Sequence, residues 1–259
     1  MQDGEVAETS WEMSALEFVV AWESLGRGRL PFPLAFREHR ARSEQDLERR
    51  RAEAAEVLRD RYGDDLYRAL ATLAEPVVRV AVCGFAGPHS ERMIRAHAGI
   101  GHRTSVAVVQ APGSGPDSGG DVVLSEHVGY GASSALVAAM PGVGAGRDRG
   151  IAVPRNRSAG PDGGTGAETD PDEAALFFNR AHSSFGEIAV ARAGGGGSRT
   201  PLDGTVLQWI DYADDGRYLI LHTQEIVARP ASAGAVATEI DRLVRGVLEE
   251  QARQADGRA

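Results

Sequence analysis

The stretch Val77–Phe85, VVRVAVCGF, is an apolar strand pattern that returns as FGEIAVAR at Phe185–Arg192, about a hundred residues later. A helical segment precedes each copy, Asp65–Ala74 in the first and Asp172–Ala181 in the second. Because such a duplication reports on the organisation of the whole chain, we expect two sheet-plus-helix halves related by an approximate two-fold axis. The other repeated segments are Glu91–Ala98, Ser105–Gln110, Asp121–His127 and Ala132–Met140 in the first copy, and Thr205–Asp211, Tyr218–His222, Glu225–Arg229 and Ser232–Glu250 in the second.

The predicted fold class is α+β, a quasi-two-fold pair of antiparallel sheet-plus-helix halves with a C-terminal helix. That helix has the clearest pattern, because its apolar residues recur at helical spacing as one stripe: Val236, Ile240, Leu243, Val244, Val247 and Leu248. The predicted organisation is a disordered tail (1–12), a first half (13–141), a flexible linker (142–171), a second half (172–253) and a disordered tail (254–259). The linker is rich in Gly, Pro, Ser and Asp and buries too little apolar surface to become ordered.

Two local patterns complete the prediction. Bulky residues alternate through Ala15–Ser24, which predicts a strand, and Pro31-Phe32-Pro33 predicts an extended connector after it. Asp215-Gly216 lies between two β-rich runs, so we expect a hairpin turn there, with Gly216 at positive φ.

Composition excludes several classes of function. The net charge is −9, which argues against a nucleic-acid partner, because phosphate binding needs clustered positive charge. All 28 basic residues are arginine. The absence of lysine excludes Schiff-base catalysis, pyridoxal phosphate, a Walker A loop and a protein-kinase site, since each requires a lysine amine. We therefore expect no cofactor.

The chain is expected to be cytoplasmic. Met1–Trp11 is polar and acidic, without the basic and apolar regions of a signal peptide. The single cysteine, Cys83, cannot form an internal disulfide and fits a reducing compartment. No apolar run approaches the roughly 18 residues that span a bilayer, so no membrane insertion is expected.

The residues with catalytic or metal-binding chemistry do not form a recognisable site. His97 and His102 lack the helical spacing and the third ligand of a zinc site, and Asp211, Asp214 and Asp215 fit turn chemistry better than a calcium loop. No metal site is predicted. Carboxylates are plentiful, but no spacing selects a catalytic pair.

The segment Trp209–Leu219, WIDYADDGRYL, resembles the hairpin of the EspG family, the cytosolic chaperones of actinobacterial ESX (type VII) secretion. That family shows an Asp, a short turn and Gly-Arg-Tyr, then a strand, a Pro and the C-terminal helix. Here the continuation is Arg229-Pro230 and Ser232–Glu250. Leu16–Glu23 and the LPFPL of Leu30–Leu34 are similar to the opening strand and proline-rich turn of the family. The resemblance covers nearly the whole chain.

This resemblance implies a non-catalytic chaperone that binds a helical secretion substrate. In mycobacteria such substrates are PE–PPE heterodimers, held at the tip of the PPE helical bundle. The client of this chain is expected to be PPE-like or a WxG-type protein. Two alternatives stay open: a structural or regulatory protein of the same secretion locus, and a small cytosolic hydrolase that uses a carboxylate pair in the cleft between the halves.

By resemblance, the client docks on Gly84–Arg103 and Ser232–Glu250. Within Glu91–Ala98, alternation places Ile94, Ala96 and Ala98 on a core face and the intervening side chains on an exposed face. The exposed face is expected to be part of the interface. The candidate partner-binding residues are Met93, Arg95, His97, Ile100, Ala235 and Glu239.

Overall fold

The computed structural model describes residues 9–154, 171–193 and 204–256. In this part of the chain ten strands form one antiparallel sheet, flanked by six helices. The strands are β1 (Thr9–Met13), β2 (Val78–Ala86), β3 (Arg92–Ile100), β4 (Thr104–Gly115), β5 (Ser118–Val128), β6 (Ile151–Pro154), β7 (His182–Arg192), β8 (Thr205–Tyr212), β9 (Arg217–His222) and β10 (Glu225–Pro230). The helices are α1 (Ala15–Ser24), α2 (Glu44–Arg61), α3 (Asp64–Ala74), α4 (Ala132–Ala138), α5 (Pro171–Phe178) and α6 (Ala233–Asp256).

The strand order is symmetric about the centre of the sheet. It runs β1-β5-β4-β3-β2-β7-β8-β9-β10-β6, so each half places its first strand outermost and its second strand at the centre. The central strands β2 and β7 pair antiparallel, with Val78 opposite Arg192 and Ala86 opposite Ser184. This order confirms the predicted fold class, two antiparallel halves joined about an approximate two-fold axis and completed by a C-terminal helix.

The seam between the halves is a glycine contact. Gly84 of β2 lies directly opposite Gly186 of β7, and the buried indole of Trp209 lies over both. A Cβ at Gly84 would lie 2.6 Å from Cζ2 of Trp209, and a Cβ at Gly186 would collide with the same ring. Because only glycine lacks a Cβ, these two positions allow the aromatic ring to approach the sheet closely at its centre.

One face of the sheet, here called the helical face, is covered by α4 and α6. The main hydrophobic core lies there, between the central strands and the stripe of α6. Val236, Ile240 and Val244 of that stripe are buried, and its other members pack against the same cluster. The structure thus confirms the periodic pattern of the last helix.

The opposite face, here called the open face, is covered only toward its two ends. At one end α1 and α3 pack on β4 and β5, where Phe18 and Leu70 meet Val108 and Leu124. At the other end, Phe177 of α5 joins a cluster contributed by β6, β8, β9 and β10. The central strands lie between these two clusters, and β2 alternates buried residues with half-buried ones.

The prediction of a strand over Ala15–Ser24 is wrong, because this segment is α1. Ser14 caps the helix: its hydroxyl accepts a hydrogen bond from the Glu17 amide, and the Glu17 carboxylate accepts one from the Ser14 amide. The buried residues Phe18, Ala21 and Trp22 follow helical spacing. Of the alternating bulky residues on which the strand prediction rested, Phe18 and Trp22 are also about one helical turn apart, so both belong to the buried side of the helix.

The structure also differs from the predicted organisation in four places. Residues 9–12, assigned to a disordered tail, belong to β1 and pair with β5. Residues 151–154, assigned to the linker, form the edge strand β6 on β10, because backbone pairing does not need an apolar composition. Helix α5 begins at Pro171 and α6 continues to Asp256. The predictions for residues 1–8, 155–170 and 257–259 lie outside the described residues.

Candidate partner-binding site

The six predicted partner-binding residues do not form one surface. Met93, Arg95 and His97 lie on the open face of β3, whereas Ile100 belongs to the core on the helical face. Helix α6, which carries the other two predicted residues, also packs on the helical face. The sheet therefore separates the two groups.

The accessibility of these residues also differs from the prediction. Ile94, Ala96 and Ala98 are in the core, as expected. Met93 is half-buried and Ala235 is exposed. The prediction of an exposed face is wrong for Arg95 and His97, which are buried. Ile100 and Glu239 are buried as well, so four of the six candidates are buried.

Glu239 is engaged inside the protein. Its carboxylate accepts hydrogen bonds from Arg229 at 3.0 Å and from Arg242 at 2.6 Å. The hydrogen bonds from Arg242, followed by those from Arg229, lower the pKa of Glu239 against the opposing effect of burial. This carboxylate ties α6 to β10, so its first role is in packing.

A proline-containing segment, Leu30–Ala35, covers part of the open face and buries His97. The Nδ1 of His97 donates to the carbonyl of Phe32 at 2.7 Å, since a carbonyl can only accept. Gln110 holds the end of the segment by accepting from the Ala35 amide at 3.0 Å and donating to its carbonyl at 2.8 Å. Burial lowers the pKa of His97 to about 4, so the ring is neutral near pH 7.

An apolar row crosses the seam on the uncovered part of the open face. Met93 lies opposite Phe85, and Phe85 lies opposite Phe185, so the three side chains follow one another across β3, β2 and β7. The two phenyl rings are 5.8 Å apart, and all three residues are half-buried. Sequence reasoning missed Phe85 and Phe185. The sequence signal that could have identified them is the Gly-Phe dipeptide Gly84-Phe85 in the first copy and the reversed dipeptide Phe185-Gly186 in the second.

Polar residues border this apolar row. Gln208 donates to Glu187 at 3.0 Å and lies 2.7 Å from the Nε2 of His222. Cys83 is half-buried on the same face, and burial raises the pKa of its thiol. Apolar residues with a polar border are typical of protein interfaces, and a thiol with a raised pKa is a poor nucleophile.

The Asp…Gly-Arg-Tyr segment connects the two halves from within the fold. Arg217 is 1% exposed and binds Asp211 through two hydrogen bonds, Nε to Oδ1 at 2.7 Å and Nη2 to Oδ2 at 2.8 Å. Nη2 of Arg217 also donates to the carbonyl of Pro141 at 2.7 Å, and its backbone amide donates to Gly144 at 2.8 Å. Ser184 donates its hydroxyl hydrogen to Asp211. This buried pair fixes the chain that leaves the first half.

The prediction that Gly216 has a positive φ is wrong, since its φ lies outside the left-handed region. Glycine is required there by proximity, because a Cβ would lie 2.7 Å from the carbonyl oxygen of Ala145. Two residues after Gly216, Tyr218 donates its hydroxyl hydrogen to Asp215 at 2.6 Å. Burial, and then the Asp215 carboxylate, raise the pKa of Tyr218 to about 12.

The carboxylates of the described residues form no catalytic arrangement. Asp211 pairs with Arg217, while Asp214 and Asp215 contact Arg180 at 2.9 and 3.3 Å. Within residues 9–154, 171–193 and 204–256, no group of three His, Cys, Asp or Glu side chains is arranged to hold a metal ion. Each described carboxyl group with a resolved shift has a lowered pKa, the opposite of what a general acid requires. The hydrolase alternative gains no support from these groups.

Comparison with known proteins identifies the class of the chain. The model of the EspG family matches residues 14–242, so the chain belongs to the EspG family. Its fold is also that of a solved structure, the Mycobacterium tuberculosis type VII secretion system chaperone EspG5 in complex with the PE25–PPE41 dimer. That match has a TM-score of 0.58 and 11% identity, and it covers 91% of this chain and 96% of EspG5. No curated protein matches the sequence.

A search of the described helices for membrane spans gives a negative result. None of them is both long and apolar enough to cross a bilayer.

Proposed function

We propose that this chain is a non-catalytic cytoplasmic chaperone or adaptor. It binds a helical type VII (ESX) secretion substrate, PE/PPE-like or WxG-type, and keeps that substrate soluble for export. Membership of the EspG family is the observation that carries the proposal. The EspG5 chaperone, which has the same fold, is in complex with the PE25–PPE41 dimer in the solved structure.

The apolar row Met93, Phe85 and Phe185 is our proposed docking surface on the open face. It lies near the centre of the sheet, where Phe185 packs against the edge of the α5 cluster, and its three side chains are half-buried. A helical client that places apolar residues on this row would remove both surfaces from water, which is the main driving force of association. The polar groups around the row, such as Glu187 and Gln208, would form the rim.

Of the six residues predicted from the resemblance, only Met93 and Ala235 have side chains that are not buried. They lie on opposite sides of the sheet. We assign the contact to the Met93 side, because its neighbours Phe85 and Phe185 extend the apolar area there.

A co-expression experiment tests the function. The chain is co-expressed with each helical protein encoded beside its gene and recovered through an affinity tag. We expect one helical hairpin protein to co-elute in a fixed stoichiometry and to precipitate when expressed alone. A partner that stays soluble alone would contradict the solubilising role, and recovery without any neighbouring helical protein would contradict the chaperone function.

A pair of substitutions tests the docking surface. Met93→Glu places a charge in the apolar row and should weaken client binding at least about tenfold, while the melting temperature changes by less than about 4 °C. Val128→Glu is the matched control, since Val128 is an exposed apolar strand residue outside the row. Ala235→Arg tests the other side of the sheet. If only Ala235→Arg weakens binding, the open face is not the interface.

A further inference from the structure

Arg95 is a buried arginine whose hydrogen-bonding capacity is largely unused. Its side chain is 1% exposed, and Nη2 donates to the carbonyl of Pro116. Neither Nε nor Nη1 has a hydrogen-bond partner. Among the described residues no carboxylate forms an ion pair with this guanidinium. Asp117 acts on it only from a longer range, together with Cys83.

A buried guanidinium with unpaired donors destabilises the fold unless another group binds it. Removing a guanidinium from water costs several kcal/mol, and this cost is offset only by a paired charge with good hydrogen bonds. Burial lowers the pKa of Arg95, which reports the same cost. A strand residue in a sheet centre would be more stable as an apolar side chain of similar volume. The free donors of Arg95 therefore point to an acceptor supplied by another molecule.

A cavity adjoins this arginine. Strands β3 and β4 stop pairing at Arg95 and Gln110, and beyond that point β3 continues on β2 while β4 continues on β5 with a register shift. The resulting fork contains a cavity of about 410 Å³. Residues lining the fork include Arg92, Met93, Arg95, Gln110, Met140 and Pro141.

We propose that this fork is a carboxylate-binding site in which Arg95 provides the charge-assisted donors. A carboxylate offers two acceptor oxygens and the opposite charge, which is what a buried guanidinium lacks. The carboxylate comes from an acidic side chain of the bound client or from a small carboxylate in solution. The first source rests on the proposed function, since Met93 of the apolar row also lines the fork.

The neighbouring groups define the selectivity of the site. Arg92 is a second cation at the opening. His97 is not a ligand for an anion, because Nδ1 is committed to Phe32 and the neutral ring leaves Nε2 as an acceptor. Gln110 is held by its bonds to the backbone of Ala35 and Gly120. Arg95 is thus the specific donor of the fork.

Cys83 provides a local probe of the charge on this site. It lies opposite Arg95 across β2 and β3, burial raises the pKa of its thiol while the guanidinium lowers that pKa, and it is the only cysteine of the chain. The full chain is treated with iodoacetamide, and sodium acetate is compared with sodium chloride at equal ionic strength. Acetate that neutralises Arg95 should slow the alkylation of Cys83 by roughly threefold, because less thiolate is present.

Variants assign the effect to Arg95. Arg95→Met should react slowly with or without acetate, whereas Arg92→Met, with the neighbouring arginine of the same fork removed, should keep the acetate response. Arg95→Lys retains the positive charge and serves if the methionine variant does not fold. A second arm measures the affinity of each variant for the client recovered by co-expression, with an expected loss of at least about tenfold for Arg95→Met only.

The two arms distinguish the sources of the carboxylate. An acetate response that is lost in Arg95→Met identifies a site for free carboxylates. A loss of client affinity in Arg95→Met without an acetate response identifies an acidic side chain of the client. If neither arm depends on Arg95, the inference is overturned, while binding of the client by the wild-type chain would leave the proposed function intact.

Discussion

The two halves of the sheet each bury an arginine, and they use it in opposite ways. In the second half, Arg217 is paired with Asp211 through two hydrogen bonds and also binds the carbonyl of Pro141. In the first half, Arg95 is equally buried, but Nε and Nη1 have no partner. An arginine that satisfies its donors inside the protein stabilises the fold. One that does not is better suited to receive a group from outside.

The helices show a related difference. The second half ends in α6, which has 24 residues and carries the long stripe of the core, whereas the first half ends in α4, which has seven. The C-terminal end of α4 is followed by Met140 and Pro141, which line the fork beside Arg95. The fork beside Arg95 thus lies in the half with the shorter closing helix, whereas the buried arginine of the half with the longer helix is fully paired.

The largest expected effect concerns Arg217, the paired arginine of the second half. Arg217→Met leaves the Asp211 carboxylate buried without its partner, so the free energy of unfolding should fall by about 3–5 kcal/mol. Arg147→Met is the control, because Arg147 is an exposed member of the neighbouring ion pairs and its loss should cost less than about 1 kcal/mol. Denaturant titration measures both. Equal, small losses would show that the buried pair does not hold the second half together.

The next effect is a pH dependence in the first half. His97 has a folded pKa of about 4, against an ordinary value of 6.5. Its contribution to stability is therefore complete above pH 6.5 and is lost as the pH falls toward 4, by on the order of 3 kcal/mol. His97→Asn keeps a donor for the Phe32 carbonyl but does not titrate, so this part of the acid-induced loss should disappear. An identical pH profile for the variant would place the titrating group elsewhere.

The seam that both halves share should respond more moderately. Gly186→Ala places a methyl group against the Trp209 ring and the backbone of β2, and we expect a loss of about 1–3 kcal/mol from overpacking. Gly28→Ala is the control, because a Cβ there has no neighbouring atom within 4 Å. Thermal melts measure both variants. Equal melting temperatures for the two would contradict the close packing of the seam.

The fold could be predicted further from the sequence than the site. Repetition of the strand pattern of Val77–Phe85 at Phe185–Arg192 gave the two halves, and the stripe of α6 gave the closing helix. The prediction for Ala15–Ser24 failed because its alternation fits both a strand and a helix, and the capping-box pattern of Ser14 and Glu17, which marks a helix start, was not used. Edge strand β6 was not predicted, because backbone pairing leaves little trace in amino-acid composition.

The prediction of the partner-binding residues failed for a different physical reason. Alternation along β3 correctly separated Ile94, Ala96 and Ala98 from the other face. It could not show that Leu30–Ala35 folds back over His97, because that contact joins residues 65 positions apart. It also could not show that Arg95 lacks a counter-charge, since pairing depends on which side chains the tertiary fold brings near.

The most direct test of the comparison is the stability of Arg95→Met, measured by denaturant titration beside Arg217→Met. Because Arg95 has no counter-ion to leave behind, its replacement by an apolar side chain of similar length should leave the free energy of unfolding unchanged or raise it by up to about 2 kcal/mol. If the site takes free carboxylates, sodium acetate should also stabilise the wild-type chain and not the variant. A loss of about 3–5 kcal/mol, similar to that of Arg217→Met, would contradict the account, because it would show that Arg95 also serves the fold.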